Sequence, residues 1–178
     1  MDGHFAGYAS LFGVPDLGRD VVAAGAFAET LRARGPAGVR MLWQHDPAEP
    51  IGRWIALAED ARGLRVEGRL NLAVQRAREI DALMREGAVD GLSIGFRTLR
   101  AAPDRAGYRH LRSIDLWEIS LVTFPLQPGA RIAGSDAGPL VAEIRSLARR
   151  LAPPRRGPGL QTRSHPTPAI RLRPGLRA

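Results

Sequence analysis

The chain has 178 residues, 44% of them hydrophobic, enough to bury one core of ordinary domain size with extensions. It contains no cysteine, which excludes disulfide frameworks, thiol nucleophiles and Cys-based zinc sites together. The formal net charge of +8 points to nucleic acid only until it is mapped: residues 1–143 hold 17 Arg against 18 acids, and residues 144–178 hold 9 Arg and no acid. The basicity therefore belongs to a tail that lacks aromatic residues for base stacking, and nucleic acid is not an expected partner. The start of the chain has neither a basic nor an apolar leader pattern, and no run of 18 apolar residues occurs, so a cytoplasmic protein without membrane attachment is expected.

In chain order, residues 5–12 are short, apolar and aromatic and predict a strand. Residues 26–34 predict a helix that stops at Gly35-Pro36, and 39–43 a second strand. Residues 51–57 and 64–72 flank the turn-rich Glu59-Asp60-Ala61-Arg62-Gly63 and predict a hairpin. A helix over 73–86, with Ile80, Leu83 and Met84 inward, ends at Gly87. Residues 91–99 and 108–124 come next as strands, the second long enough to contain a bend. Six or seven strands with scattered helices predict an α+β fold, a mixed β-barrel or sandwich with helical decoration. A domain of residues 1–136 is followed by an amphipathic helix over 137–152, where Leu140, Val141, Ile144, Leu147 and Leu151 recur at helical spacing. Residues 153–178 carry six prolines among arginines and predict a flexible tail.

Three segments can carry chemistry. In Asp90-Gly91-Leu92-Ser93-Ile94-Gly95-Phe96-Arg97 read as a strand, Leu92, Ile94 and Phe96 face one side, while Ser93 stands on the other between Gly91 and Gly95. Glycines on its own face leave room for a substrate backbone to approach the hydroxyl. A bulge or close strand crossing would use the same glycines. The segment also matches G-x-S-x-G, but the nucleophile elbow needs a strand before and a helix after, the opposite of the order here.

His45 stands where an apolar strand gives way to a polar, proline-bounded loop, Asp46-Pro47-Ala48-Glu49-Pro50, and imidazole titrates where a general base must. His4 and His165 lie near the termini, while His110 lies in the long strand. In that strand Glu118 shares a face with Leu116 and Ser120 under strict alternation, a costly place for a carboxylate without a partner. That partner could be a histidine that becomes cationic or one of the arginines. No two histidines have metal-ligand spacing, and no cofactor is implied.

Taken together these segments resemble the prohead proteases of tailed phages and of phage-derived gene transfer agents. The resemblance runs over about residues 5–132 and is carried by Gly7-Tyr8-Ala9-Ser10-Leu11-Phe12, Gly25-Ala26-Phe27, Gln44-His45-Asp46 with Ile51-Gly52-Arg53, Gly91 to Phe96, and Glu118-Ile119-Ser120-Leu121-Val122 with Pro125. It implies an assemblin-like mixed β-barrel surrounded by helices, with Ser93 as nucleophile and His45 as base. The acid of the family's long strand maps onto Glu118. An assemblin-like second histidine would instead be His110, and Asp115 is a further candidate; Asp46, adjacent to His45, should point away from it. Leu126-Gln127-Pro128 stands where Ala-Asn-Pro is frequent. The resemblance implies a serine endopeptidase acting on major capsid protein, scaffold segment and itself inside an assembling procapsid in the bacterial cytoplasm, its oligomeric state left open. The rival is a non-catalytic capsid-assembly or scaffold-binding module.

Overall fold

The computed structural model describes residues 3–133. The expected helix over 137–152 and the tail over 153–178 lie outside the described residues. The elements are β1 (His4–Leu11), β2 (Asp20–Val22), α1 (Ala28–Arg34), β3 (Arg40–Trp43), β4 (Asp46–Glu59), β5 (Gly63–Leu70), α2 (Gln75–Arg85), β6 (Gly91–Pro103) and β7 (Arg109–Val122). They form one mixed sheet in the order β1-β5-β4-β3-β7-β2, with β6 also on β7. Among the described residues no helix is long and apolar enough to cross a membrane.

β7 organises the sheet. One of its edges pairs antiparallel with β6 along its length; the other pairs in parallel with β2 at residues 109–111 and with β3 at residues 118–121. Helix α1 serves the stretch between those two partners: Thr30 Oγ1 donates to the Ile114 carbonyl at 2.8 Å and accepts from the Leu116 N–H at 3.1 Å. Leu92, Leu111, Ile114, Leu116, Ile119 and Leu121 are fully buried on the inner face. At roughly 2 kcal/mol for each such side chain, that row strongly opposes any slip of β6 against β7.

The outermost strands are tied by a segment outside them. Tyr8 N–H donates to the Arg131 carbonyl at 3.0 Å and Ala133 N–H to the Ala6 carbonyl at 2.8 Å. On the other side Leu92 N–H donates to the Ala130 carbonyl at 2.9 Å and Ile132 N–H to the Asp90 carbonyl at 2.8 Å. Residues 130–133 thus bridge β1 to the beginning of β6. Position 7 must be glycine for this, because a Cβ there would overlap the Arg131 carbonyl.

Strict alternation fails on β7 in an informative way. Gly95 faces Glu118 and Phe96 faces Leu116, which leaves Trp117 as an extra residue. A bulge inserts one residue and reverses the facing of the residues beyond it. Leu116 therefore points into the core, while Trp117 and Glu118 both point outward, so the expected sharing of a face by Leu116 and Glu118 is corrected. A second extra residue, Arg112, lies between the pairs at Ser113 and Leu111, and these bulges account for the expected bend. A further correction concerns residues 46–50. They belong to β4 and not to a loop, with the register to β3 jumping from Trp43↔Asp46 to Leu42↔Pro50. Pro47 and Pro50 have no N–H for a ladder, which suits them to so irregular a strand end.

Candidate active site

The turn from β3 to β4 has two central residues, Gln44 and His45, between the paired Trp43 and Asp46. Both have positive φ, 52° and 61°. A two-residue hairpin turn of this hand matches the twist of its strands but normally uses Asn-Gly, since a side chain in left-handed backbone costs about 1–2 kcal/mol. Three bonds to β7 and its end hold the strained pair. Gln44 N–H donates to the Leu121 carbonyl at 3.0 Å, Gln44 Nε2 to Thr123 Oγ1 at 2.8 Å, and His45 N–H to Ser120 Oγ at 3.1 Å.

The turn delivers the imidazole over the outer face of the sheet, where the register forms two rows. Leu42, Ser120 and Ser93 make one, and Arg40, Glu118 and Gly95 the other. His45 Nε2 is 2.9 Å from Ser93 Oγ, and His45 Nδ1 is 2.6 Å from Glu118 Oε1. With its proton on Nδ1, directed to the carboxylate, the ring accepts the serine O–H at Nε2. Ser120 Oγ donates to the other carboxylate oxygen of Glu118 at 2.6 Å. A single hydroxyl thus aligns both the carboxylate and the backbone of the histidine. Sequence reasoning missed that role, although its signal was present: in an outward-facing stretch, a serine two residues beyond the acid lies on the acid's own face.

Ser93 is 7% exposed and the Glu118 side chain 13%, whereas the His45 side chain is 43% exposed. A hydroxyl held near a half-open imidazole, itself hydrogen-bonded to a sheltered carboxylate, can be deprotonated as it attacks an electrophile. The glycines do something other than expected. A Cβ on Gly95 would overlap Glu118 Oε1, and one on Gly91 would press on the Val122 carbonyl and the Pro125 ring. Their room is filled by the carboxylate and by Pro125, not left open for substrate.

The remaining candidates lie apart. His110 pairs with Asp104, 2.9 Å away, towards the far end of β7. Asp115 is held by Arg34 at 2.7 Å and by the Trp117 indole N–H at 2.8 Å. Asp46 turns away and accepts the Ala48 N–H. His4 lies beside Glu67 on the β1–β5 pair, 3.8 Å from it, and His165 lies outside the described residues. Ser93 sits within a strand and has no positive φ, unlike the residue of a nucleophile elbow.

The Glu118 hydrogen bond and charge raise the His45 pKa above its ordinary value of 6.5, against the opposing effect of partial burial. A ring acting as general base must be neutral, so with His45 in that role the acidic limb of kcat/KM is expected to lie above pH 6.5, with activity rising as pH passes through the raised value. The stability contributed by this contact has the opposite sense: it is fully present below the unfolded-state value and lost as pH rises through the raised one. A kcat/KM profile with its limb below pH 6.5 would show that Glu118 does not hold the working imidazole.

The fold is similar to those of viral proteases. The crystal structure of KSHV protease bound to a hexapeptide phosphonate inhibitor superposes with a TM-score of 0.55 at 14% identity, over 83% of this chain and 72% of that one. The capsid assembly protease of bacteriophage T4 superposes with a TM-score of 0.53 at 11% identity, over 67% of this chain and 80% of its own. Residues 1–140 match the family described as caudovirus prohead serine protease, and the chain belongs to that family. The prohead protease of Enterobacteria phage HK97 is 35% identical over 150 residues, which make up 82% of this chain and 65% of the HK97 protein, so the chain spans slightly less than two thirds of that relative.

Proposed function

We propose that this protein is a serine endopeptidase that cleaves capsid and scaffold proteins during phage prohead maturation and also cuts itself. The observation that supports this most directly is the continuous hydrogen-bonded line Ser93–His45–Glu118 on the outer face of a sheet belonging to the prohead protease family. Ser93 Oγ attacks the scissile carbonyl while His45 Nε2 takes its proton, and Glu118 stabilises the imidazolium. The imidazolium then protonates the leaving amine, and a water activated by the same ring releases the acyl group from Ser93. No step calls for a cofactor. The fuller architecture we infer is an assemblin-like barrel closed by residues 130–133 and flanked by helices. The place of action is the assembling procapsid in the bacterial cytoplasm.

The strained turn speaks against a binding-only descendant. Two left-handed non-glycine residues are held by three hydrogen bonds to present an imidazole to a serine, and binding alone gives no reason to retain that cost. Co-expression with the major capsid protein and its scaffold segment tests the reading. Mass spectrometry is expected to find the capsid chain shortened at a defined bond; an intact capsid chain beside well-expressed protease would overturn it.

A further inference from the structure

Beyond the triad the same outer face carries a basic shelf. Arg40 occupies the row of Glu118 and Gly95, and Arg97 faces Asp115 one step further along. The bulge turns Trp117 outward between them, leaving its indole 53% exposed. Arg34 at the end of α1 bonds one oxygen of Asp115, and Arg97 lies 3.6 Å from the other with its side chain 67% exposed. Arg40 is exposed and donates to the neutral Ala37 carbonyl at 3.1 Å. Both oxygens of Glu118 are engaged, by His45 and Ser120. Two guanidiniums, Arg34 and Arg97, therefore share the Asp115 carboxylate, and Arg40 stands nearby on the same face with a neutral carbonyl as its hydrogen-bond partner.

We infer that this shelf is a substrate subsite for an acidic residue of the polypeptide being cut, a deepening that rests on Ser93 being the nucleophile. The spacing sets where that residue falls. An extended chain advances about 3.3 Å per residue. Arg97 is four residues along β6 from Ser93, and Arg40 stands two strands across, about 10 Å, in the row two residues along, so long side chains from both can reach an acid two to four residues from the scissile bond. The carboxylate meets Arg97, highly exposed and sharing Asp115 with Arg34, and Arg40, exposed and bonded to a neutral carbonyl, and the Trp117 ring supplies a flat apolar floor for the adjoining residue.

The test uses the full-length protein and synthetic peptides spanning a bond it cleaves, made in pairs with Glu or Gln at each of the four positions on either side. The wild type is expected to favour Glu over Gln by about tenfold in kcat/KM at a position two to four residues from the bond, and raised salt should erode that ratio. In the double variant Arg40→Gln/Arg97→Gln the ratio should fall to about one, while Arg40→Lys/Arg97→Lys should keep much of it. The pair Arg100→Gln/Arg105→Gln, at the far end of the β6–β7 hairpin, should keep it in full. The ratio is internal to each preparation, so partial misfolding of a variant does not mimic the result. Equal cleavage of Glu and Gln peptides by the wild type, or an undiminished ratio in the Gln double variant, overturns the subsite. A wild type that cleaves no peptide and takes no fluorophosphonate label at Ser93 overturns instead the reading of the site as a protease, and the subsite with it.

Discussion

Ser93→Ala is expected to abolish cleavage of co-expressed capsid protein, with a rate loss of roughly a million-fold, and His45→Ala to do the same. When nucleophile and base act as one unit, removal of either member removes nearly the whole of their joint effect. The fold should survive the serine change. Ser93 Oγ has His45 Nε2 as its partner, and the half-exposed imidazole can exchange that hydroxyl for water, so the stability change should stay within about 1 kcal/mol. Mass spectrometry of the capsid chain together with a thermal melt of the variant reads both quantities. Normal processing by a well-folded Ser93→Ala protein would mean that the hydroxyl attacks nothing.

The second large effect concerns the carboxylate. Glu118→Gln should lower kcat by about 10⁴, the scale seen where an orienting carboxylate is replaced by its amide and the imidazole is left in the wrong tautomer. Here an amide NH₂ could present itself to Nδ1, 2.6 Å from the present Oε1, and Nε2 would then carry the proton and cease to accept from Ser93. The acidic limb should also move down, because the contact that raises the His45 pKa is gone. His110→Gln should leave cleavage within about twofold of wild type, since that ring contacts Asp104 and not the triad. Steady-state kinetics on a single peptide compares the two; the reverse ranking would assign the third role to the second histidine.

Much of this site could be read before any coordinates, and what could not has physical reasons. Ser93 was legible because alternation holds on β6: Leu92 is core, Ile94 and Phe96 pack against it, and the serine faces outward. His45 was legible as a residue but not as a conformation, because Gln44-His45 carries none of the Asn-Gly signal that marks a two-residue hairpin turn. Glu118 was identified with its facing misjudged, since an extra residue at Trp117 leaves no trace in a pattern of apolar positions. β2 escaped notice because three residues cannot show a period, and residues 130–133 because they contribute backbone and not a patterned strand. The glycines beside Ser93 signalled close approach, but only the structure identifies the approaching atoms as Glu118 and Pro125.

The segment joining β1 to β6 also sets an order of events during synthesis. A ribosome makes the His45 turn first, then Ser93, then Glu118, and only afterwards residues 130–133, whose backbone bonds fix the beginning of the serine's strand against β1. A nascent chain that has passed Ser93 but not β7 carries Ser93 on β6 and His45 on the turn after β3, two strands that do not pair with each other, because β3 and β6 meet only through β7. Contacts of such long sequence separation form late and slowly. A chain halted before residue 130 would leave the outer edges of β1 and early β6 as open donor and acceptor rows, templates for association with any neighbouring strand. Termination before β7 therefore leaves Ser93, His45 and Glu118 unassembled, and termination between β7 and residue 130 leaves them on a fragment with open strand edges.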